Sequence, residues 1–349
     1  MSKINLGRYF EDFSIGQRII HPLPRTISAG DVSIYIALTG SRYALHSSDG
    51  FAQDAGYPRR PLDDLLLFHL AFGKSVVDIS LNAIANLGYA EVQFQHPVYV
   101  GDTVSLSSEI IGLKENSSGN SGIVYVHSSG FNQDGQAILS FKRWVMIKKR
   151  TPDMTGISQI PDLLQALPND LPIQIPTIGA IDTQQSGCDY LWEDYTVGER
   201  LDHPEGMTID STEHTLATHL YQNNAKLHFD QHMMQQGPMR QRLVYGGHII
   251  SLCRSIAFNG LGNAMWLYAI NAGTHSNPVF AGDTIYCYTL VKDVIEHTRS
   301  DLGLLRLQSI GLKNMTPAEV SSYLDADGRY LPQVVLDLDY TVIIPRRDR

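Results

Sequence analysis

Two stretches of the chain carry apolar residues too densely for the surface helix of a globular protein. LDDLLLFHLAFGKSVVDI begins at Leu62, and GHIISLCRSIAF begins at Gly247. A surface helix keeps a wide polar face, whereas the apolar positions of the first stretch occupy most of the circumference. We therefore predict a helix buried along most of its length in the first half of the chain, and an equivalent helix in the second half.

Strand-like runs follow each predicted helix. GIVYVHSSGFNQDGQAILSFKRWVMIKK contains two β-rich runs around the turn pair Asp134-Gly135, and Asp327-Gly328 lies between comparable runs near the end of the chain. One buried helix with several antiparallel strands predicts an α+β unit in which a curved sheet wraps around the helix. Two such units are expected to pair their sheets edge to edge.

The chain repeats itself at a spacing of 182 residues. RYFEDFSIGQRIIHP near the start returns as YLWEDYTVGERLDHP in the middle, and HPVYVGDTV returns as NPVFAGDTI at a spacing of 181. Self-similarity over this distance predicts two copies of one structural unit. Pairs that share the spacing of 182 include Glu11 and Glu193, Asp12 and Asp194, His21 and His203, and His46 and His228.

The segment between the copies is rich in proline and has little helical or strand period. Its prolines are Pro152, Pro161, Pro168, Pro172 and Pro176. This composition predicts an extended, semi-rigid linker that crosses the surface without packing as an element. We therefore predict an N-terminal unit at 1–150, a linker at 151–188 and a C-terminal unit at 189–349.

Composition narrows the class of protein. The 349 residues are 43% hydrophobic and 18% charged, as in ordinary globular proteins, and no apolar run is long enough to span a bilayer. The start of the chain does not resemble a secretory signal, and Cys188, Cys253 and Cys287 lack any disulfide-like spacing. A net charge of −9 opposes binding to duplex nucleic acid. We expect a cytoplasmic protein with reduced cysteines and no nucleic-acid or membrane partner.

Motif searches exclude several enzyme classes. The chain has no GxSxG, Walker or GxGxxG signature, which argues against a serine hydrolase, a P-loop enzyme and a dinucleotide-binding enzyme. His228 and His232 are four residues apart, a spacing that places two ligands on one helix face. Neither an HExxH arrangement nor a third ligand at a characteristic spacing accompanies them, so no metal site is predicted.

Longer segments resemble a known family. The xPVxxGDT segment and the order of helix and strands resemble the MaoC-like dehydratases, whose double-hot-dog members contain two fused copies. LYQNNAKLHFDQH, VYGGHIISL, SIAFNGLGNA and SLNAIANLGYAE are similar to the mesaconyl-CoA hydratases, also called β-methylmalyl-CoA (2-methylfumaryl-CoA) dehydratases. The resemblance covers nearly the whole chain. It implies a double-hot-dog fold and reversible addition of water across the double bond of mesaconyl-CoA, with no metal or redox cofactor.

The resemblance also points to catalytic residues. Hydration of an enoyl thioester needs a base for water, a proton source for Cα and donors for the thioester oxygen. His228 resembles the histidine of the family's hydratase motif, but Asn223 replaces the acidic residue that normally stands five positions earlier. We predict that His228 is catalytic, alone or with Asp230, and that Asn223 orients the water. The alternatives are a structural histidine and ordinary cap or turn roles for Asn223 and Asp230.

Gly246 and Gly247 form the candidate oxyanion site. Unpaired backbone amides at a helix start, unobstructed by Cβ atoms, suit a developing oxyanion or a thioester carbonyl. The alternative is a tight turn that needs glycine for a positive φ. At the spacing of 182, the first copy has Asp64 and Leu65, and an acidic side chain would repel an enolate. This asymmetry predicts chemistry in the C-terminal unit and substrate accommodation in the N-terminal unit.

A dicarboxylic acyl group needs a cationic partner for its free carboxylate. Candidates near the motif are Arg240, Arg242 and His248, with Lys226 and Arg254 as further possibilities. Two groups of cations are candidates for the phosphates of CoA, or else solvated chain ends: Lys148, Lys149 and Arg150, and Arg346 and Arg347.

Two other functions remain open from the sequence. Hot-dog folds also host acyl-CoA thioesterases, and a non-catalytic acyl-CoA-binding protein would fit the Asn at the usual Asp position. Each reading makes an acyl-CoA the ligand, with CoA entering as part of it and no separate cofactor. Homo-oligomerisation is expected by analogy, because paired hot-dog sheets expose further edges and faces.

Overall fold

The structure, a computed structural model, describes residues 3–179 and 181–347. Within these ranges the chain forms eleven strands and nine α-helices. The strands are β1 (Arg18–Thr26), β2 (Ala83–Phe94), β3 (Thr103–Glu115), β4 (Ser121–Phe131), β5 (Ala137–Lys148), β6 (Ser158–Gln159), β7 (Arg200–Thr208), β8 (Trp266–Thr274), β9 (Thr284–Glu296), β10 (Leu302–Lys313) and β11 (Val334–Pro345). The helices are α1 (Ala29–Thr39), α2 (Ala44–Ser47), α3 (Asp49–Asp54), α4 (Asp64–Ser75), α5 (Thr183–Ser186), α6 (Ser211–Leu220), α7 (Gln231–Gln235), α8 (Gly246–Ile256) and α9 (Phe258–Leu261).

One continuous antiparallel sheet joins the two copies. Its strand order is β1-β3-β4-β5-β2-β8-β11-β10-β9-β7, so each copy contributes the same five-strand order and the copies meet where β2 pairs with β8. The predicted α+β architecture with sheets joined edge to edge is confirmed. No helix in the described part of the chain combines the length and apolar character needed to cross a membrane.

The helices α4 and α8 form the centre of the molecule. Every residue of α4 after Asp64 is buried, as is every residue of α8 after Gly246, which confirms the predicted burial. Both helices contribute to one hydrophobic cluster that extends through both copies. The ring nitrogen Nε2 of His69 lies 2.9 Å from Oγ of Ser251, and these two residues are 182 positions apart. Equivalent positions of the two copies therefore meet where the helices approach each other.

The repeated sequence motifs have structural roles in both copies. His21 contacts the Ser108 hydroxyl at 2.7 Å, and His203 contacts the Thr289 hydroxyl at 2.9 Å. In each case the histidine bridges an edge strand and its neighbour, because β1 pairs with β3 and β7 pairs with β9. The recurring histidines therefore explain part of the repeat without any catalytic role.

Ion pairs close each copy by joining its first turn to the residues after its last strand. Arg150 binds Asp12 at 2.5 Å, and Arg347 binds Asp194 at the same distance. The cations considered for the phosphates of CoA are thus engaged elsewhere: Arg150 and Arg347 in these pairs, Arg346 with Glu193, and Lys149 with Glu115 and Asp153. Lys148 is exposed at the end of β5. The structure therefore gives no support to the expectation that these two groups of cations bind the phosphates of CoA.

The linker is not the free surface crossing that its proline content predicts. Its β6 pairs with β3, and α5 forms near its end. Ile178 is buried, and several other linker side chains pack against the second hydrophobic cluster, namely Leu167, Leu171, Ile173, Ile175 and Ile181. Backbone amides of Leu167 and Leu171 donate to Asn271 and Tyr268 of β8. The linker therefore covers the sheet near the junction of the two copies.

Candidate active site

A cavity of about 320 Å³ opens between the two copies and is lined by four of the eight predicted site residues, Asn223, His228, Gly246 and Gly247. The C-terminal copy contributes polar groups at Asn223, His228, Gly246, Gly247 and His275. The N-terminal copy contributes Ser80, Asn86, Tyr89 and Arg143, together with apolar side chains such as Phe68 and Phe72. A single site is therefore built from both copies.

His228 lies at the end of the 3-10 turn Lys226–His228, and only 9% of its surface is exposed. Its Nδ1 is 2.9 Å from the Leu243 carbonyl oxygen. A carbonyl can only accept, so Nδ1 carries the hydrogen and Nε2 of the neutral ring carries the lone pair. Burial lowers the pKa of His228 to about 4, although the Leu243 carbonyl favours the protonated ring. At neutral pH, His228 is an uncharged base at the cavity wall.

Asn223 lines the same cavity and is 3% exposed. Its Oδ1 accepts from the Ala225 amide at 3.0 Å, which fixes the orientation of the side chain. The segment that carries it lies directly against α4 at Gly73, where a Cβ atom would stand 1.8 Å from the Tyr221 carbonyl oxygen. Glycine at this position therefore allows the first copy to approach the segment of the second copy that carries Asn223.

Asp230 has the cap role that was the alternative to catalysis. Its side chain accepts from the Met233 amide at 2.9 Å and caps α7. It is not among the cavity-lining residues within the described ranges. The structure thus separates Asp230 from the other two predicted catalytic residues, and the predicted contribution of its carboxylate is corrected to a cap.

Gly246 and Gly247 are the first two residues of α8. Their amides have no hydrogen-bond acceptor among the described residues, and both glycines line the cavity. Neither has a positive φ, so turn geometry does not require glycine here. Close packing does: a Cβ on Gly246 would lie 2.6 Å from the His275 ring, and one on Gly247 would lie 2.4 Å from the Tyr245 ring. The helix start presents free donors to the cavity.

The cations predicted to bind the substrate carboxylate lie elsewhere. Arg240 is exposed, and Arg242 donates to hydroxyl groups of α6. His248 lies 3.2 Å from Glu213 because its position on α8 directs it away from the face that begins with Gly246. Lys226 and Arg254 also fall outside the cavity wall as far as the described chain defines it. Nearness in sequence to the motif therefore does not bring these cations to the wall of this cavity.

Sequence reasoning missed several polar residues of the cavity, among them His275, Tyr89 and Arg143. Nε2 of His275 lies 2.9 Å from the Tyr89 hydroxyl, which belongs to the other copy. Burial lowers the pKa of His275 to about 4, so its ring is neutral at neutral pH. Arg143 lies on the inward-facing row of β5, between Phe141 and Val145. The alternation in FKRWV places Arg143 on the buried face of the strand, and this pattern could have predicted a buried cation.

Comparison with known proteins identifies the family of the chain. The family model described as mesaconyl-CoA hydratase matches residues 2–318. The chain belongs to the mesaconyl-CoA hydratase family. It is 51% identical to a β-methylmalyl-CoA dehydratase of Chloroflexus aurantiacus, with 99% of each chain covered. It is 47% identical to a mesaconyl-CoA hydratase of Cereibacter sphaeroides, with 99% of this chain and 100% of the relative covered.

Solved structures identify the fold of this mesaconyl-CoA hydratase family member. A putative MaoC domain dehydratase from Chloroflexus aurantiacus superposes with a TM-score of 0.97 at 50% identity, covering all of both chains. A double-hot-dog protein from Mycobacterium tuberculosis superposes with a TM-score of 0.76 at 24% identity, covering 97% of this chain and 98% of the other. The double-hot-dog fold implied by the sequence resemblance is confirmed.

The equivalent region of the N-terminal copy has little space in this family member. Its pocket is only about 40 Å³ and is lined by His46, Asp64 and linker residues 172–175. Both ring nitrogens of His46 are 3.2 Å from backbone carbonyl oxygens, at Pro61 and Met265. Asp64 accepts from the Leu267 amide, and burial raises the pKa of its carboxyl group to about 6. Both side chains are therefore engaged by backbone groups.

His228 and His232, the two histidines with metal-ligand spacing, lie in different surroundings. His228 is buried at the cavity, whereas His232 is exposed and contacts Gln236 at 3.1 Å. Within residues 3–179 and 181–347, no group of three His, Cys, Asp or Glu side chains is arranged to hold a metal ion. The spacing of four residues therefore does not create a ligand pair here.

Buried neutral histidines should make the fold sensitive to acid. The pKa values of His214, His228 and His275 are each lowered to about 4, chiefly by burial, and the pKa of an unfolded histidine is about 6.5. Between these values the unfolded chain binds more protons than the folded chain. The stabilising contribution of the neutral histidines to the free energy of unfolding is therefore fully present above about pH 6.5 and is lost as the pH falls towards about 4. We expect the urea midpoint of unfolding to decrease through this window. A constant midpoint between about pH 7 and pH 4.5 would contradict the neutral assignment.

Proposed function

We propose that the chain catalyses the reversible hydration of a branched dicarboxylic enoyl-CoA, interconverting mesaconyl-CoA (2-methylfumaryl-CoA) and β-methylmalyl-CoA. The observation that carries the proposal is the presence of a neutral His228 and the free amides of Gly246 and Gly247 on the walls of one cavity. The substrate class follows from the two relatives that are 51% and 47% identical, a β-methylmalyl-CoA dehydratase and a mesaconyl-CoA hydratase.

The proposed reaction begins with the thioester carbonyl accepting hydrogen bonds from the amides at the start of α8. These donors stabilise the negative charge that develops on the oxygen as water attacks Cβ. Nε2 of His228 removes a proton from that water as the new C–O bond forms. The electron pair of the C=C bond moves to Cα and the thioester, giving an enolate.

The second proton transfer completes the addition. The imidazolium of His228 returns its proton to Cα, forming the C–H bond and regenerating the neutral ring. Because the Asn223 amide cannot donate a proton to carbon, His228 performs both proton transfers. Both new bonds therefore form on the same face of the double bond. The Asn223 amide nitrogen donates to the water and orients it, because Oδ1 is occupied by the Ala225 amide. The C-terminal copy carries this chemistry, and the N-terminal copy accommodates the acyl group.

The proposal also covers the cofactor requirement, the cellular location and the association of the chain. The proton transfers use side chains and backbone donors alone, so we propose no separate cofactor, and CoA enters as part of the substrate. Cys188, Cys253 and Cys287 are free and buried, which supports a reducing, cytoplasmic location. Copies of the chain are proposed to associate. Strand β1 ends the sheet and exposes Ile20 and Leu23, which supports such contacts.

The proposed function is tested by incubating the purified protein with mesaconyl-CoA and crotonyl-CoA. We expect loss of the enoyl-thioester absorbance with mesaconyl-CoA and a product heavier by one water, with little release of free thiol. A thioesterase would release CoA instead, because hydrolysis attacks the carbonyl and not Cβ. A binding protein would retain the ligand without turnover. Either of these two results would overturn the proposal.

A further inference from the structure

Arg143 is a buried cation in the cavity wall that has no acidic partner. Its side chain belongs to the N-terminal copy, is 1% exposed and lines the same cavity as His228. No ion pair within residues 3–179 and 181–347 includes it. The acid on the nearby π-helical turn, Asp78, is engaged by His21 at 2.9 Å. A guanidinium in this position lacks the counter-ion that buried charges normally have.

The surroundings of Arg143 hold its guanidinium in one orientation. Nη2 donates to the Ser75 hydroxyl at 2.8 Å, and both Nη atoms lie 3.3 Å from the Ser80 hydroxyl. The Phe72 ring lies below the guanidinium, 4.4 Å from ring centre to Cζ. Two neutral hydroxyls thus orient the guanidinium. Its Nε hydrogen has no acceptor and its positive charge has no acidic partner among the described residues.

This arrangement is suited to binding an anion. Burial lowers the pKa of Arg143 to about 10, so the group still carries its charge at neutral pH. A guanidinium offers its donors as a planar fork that matches a carboxylate. Among the described residues of the cavity wall, His228 and His275 are the only other side chains that could carry a positive charge, and both are neutral at neutral pH. An incoming carboxylate would therefore meet one cation and no competing acid.

We propose that Arg143 binds the free carboxylate of the acyl group, at the end opposite the thioester, and so selects dicarboxylic over monocarboxylic acyl-CoA. This inference rests on the proposed function and names a binding subsite for it. The guanidinium stacks on Phe72, whose ring centre is 5.8 Å from that of Tyr245, the residue immediately before Gly246. The proposed carboxylate and thioester subsites therefore lie on one cavity and are connected through the rings of Phe72 and Tyr245.

The test compares ligands that share CoA and differ in the carboxylate. The variants are Arg143→Gln, which removes the charge, and Arg143→Lys, which keeps the charge without the fork. For Arg143→Gln we expect kcat/KM with mesaconyl-CoA to fall about 100- to 1,000-fold, as when one partner of a buried ion pair is removed. With crotonyl-CoA we expect a change of less than about 10-fold, since no pair is lost. Arg143→Lys should recover part of the activity with mesaconyl-CoA.

Binding measurements keep the test informative where turnover is slow. Inhibition constants for succinyl-CoA and butyryl-CoA need no chemistry, and only succinyl-CoA carries the carboxylate. We expect Arg143→Gln to weaken inhibition by succinyl-CoA selectively. Thermal unfolding of each variant, with and without butyryl-CoA, establishes that the fold and the CoA site persist. If both inhibitors weaken equally, Arg143 acts on CoA or on the fold and the inference is overturned; an unchanged preference overturns it as well.

Arg254 provides a matched control. It is 8% exposed and stacks on the Tyr43 ring at 4.2 Å, but it donates to the Tyr43 hydroxyl and the Ala264 carbonyl and lies outside the cavity. Arg254→Gln should reduce stability while leaving the ratio of succinyl-CoA to butyryl-CoA inhibition unchanged. Wild-type protein that binds succinyl-CoA through Arg143 without hydrating mesaconyl-CoA would refute the proposed function and leave this inference standing.

Discussion

Replacing His228 with alanine is expected to lower kcat for hydration of mesaconyl-CoA by about 10,000-fold, the upper range for a general acid–base group. The reason is that one imidazole performs both proton transfers, and Asn223 can neither accept the proton from water nor supply one to Cα. The measurement is steady-state turnover of His228→Ala, with binding of succinyl-CoA followed separately. Binding should change little, because the loss concerns a step that occurs after the substrate is bound.

His46 is the matched control for this variant, since it occupies the equivalent position of the first copy. It is 6% exposed, and its ring contacts two backbone carbonyls in a pocket far too small for an acyl group. His46→Ala should lower the unfolding temperature and leave kcat of the folded protein nearly unchanged. Comparable losses of kcat in the two variants would show that the histidines are structural, and substantial turnover by His228→Ala would point to another base.

Local sequence signals were sufficient for the fold. The buried helices at Asp64–Ser75 and Gly246–Ile256 follow from dense apolar runs, and the joined sheets follow from the repetition of one unit. The linker prediction missed the packing of several side chains, because proline content describes the backbone and not what the side chains bury. Leu171, Ile173 and Ile175 recur at alternate positions, and these apolar side chains pack against the core.

The candidate site was predictable only where its residues are close in sequence. His228, Asn223 and the two glycines lie within one motif-bearing segment, and the structure brings them to one cavity. The substrate-carboxylate candidates do not line this cavity in the described chain. His248 points elsewhere because a helix distributes neighbouring residues around its axis, and Arg242, which precedes α8, is held by hydroxyl groups of α6. Arg143 comes from the other copy, and no local pattern in the C-terminal copy can reveal it.

The two copies contribute different groups to the wall of the cavity. The second copy supplies a helix start without side chains and a histidine with a free ring nitrogen, while the first copy supplies the wall that carries Arg143 and Tyr89. Where the second copy has Gly246, the first has Asp64, whose carboxylate accepts from the Leu267 amide beside the smaller pocket. Duplication with such divergence allows two ends of an asymmetric substrate to be bound by one chain.

Gly246→Ala is expected to lower kcat/KM with mesaconyl-CoA by about 1,000-fold, similar to the loss of an oxyanion donor. The added Cβ would lie 2.6 Å from the His275 ring, which is held by the Tyr89 hydroxyl. Because the cavity is the open space beside this contact, we expect the methyl group or the His275 ring to move into it and displace the thioester oxygen from the helix start. Alanine has a higher helix propensity than glycine, so α8 itself should persist. Turnover and thermal unfolding of the variant test both points.

Gly303→Ala serves as the steric control, because it places a Cβ 2.3 Å from the Trp192 ring and neither residue lines the cavity. The two variants introduce one methyl group against one aromatic ring, yet only one of those rings borders the proposed thioester site. Gly303→Ala should therefore lose stability while its folded fraction retains kcat/KM. If Gly246→Ala hydrates mesaconyl-CoA at the wild-type rate, the amides at the start of α8 do not hold the thioester oxygen, and the enolate must be stabilised from another wall of the cavity.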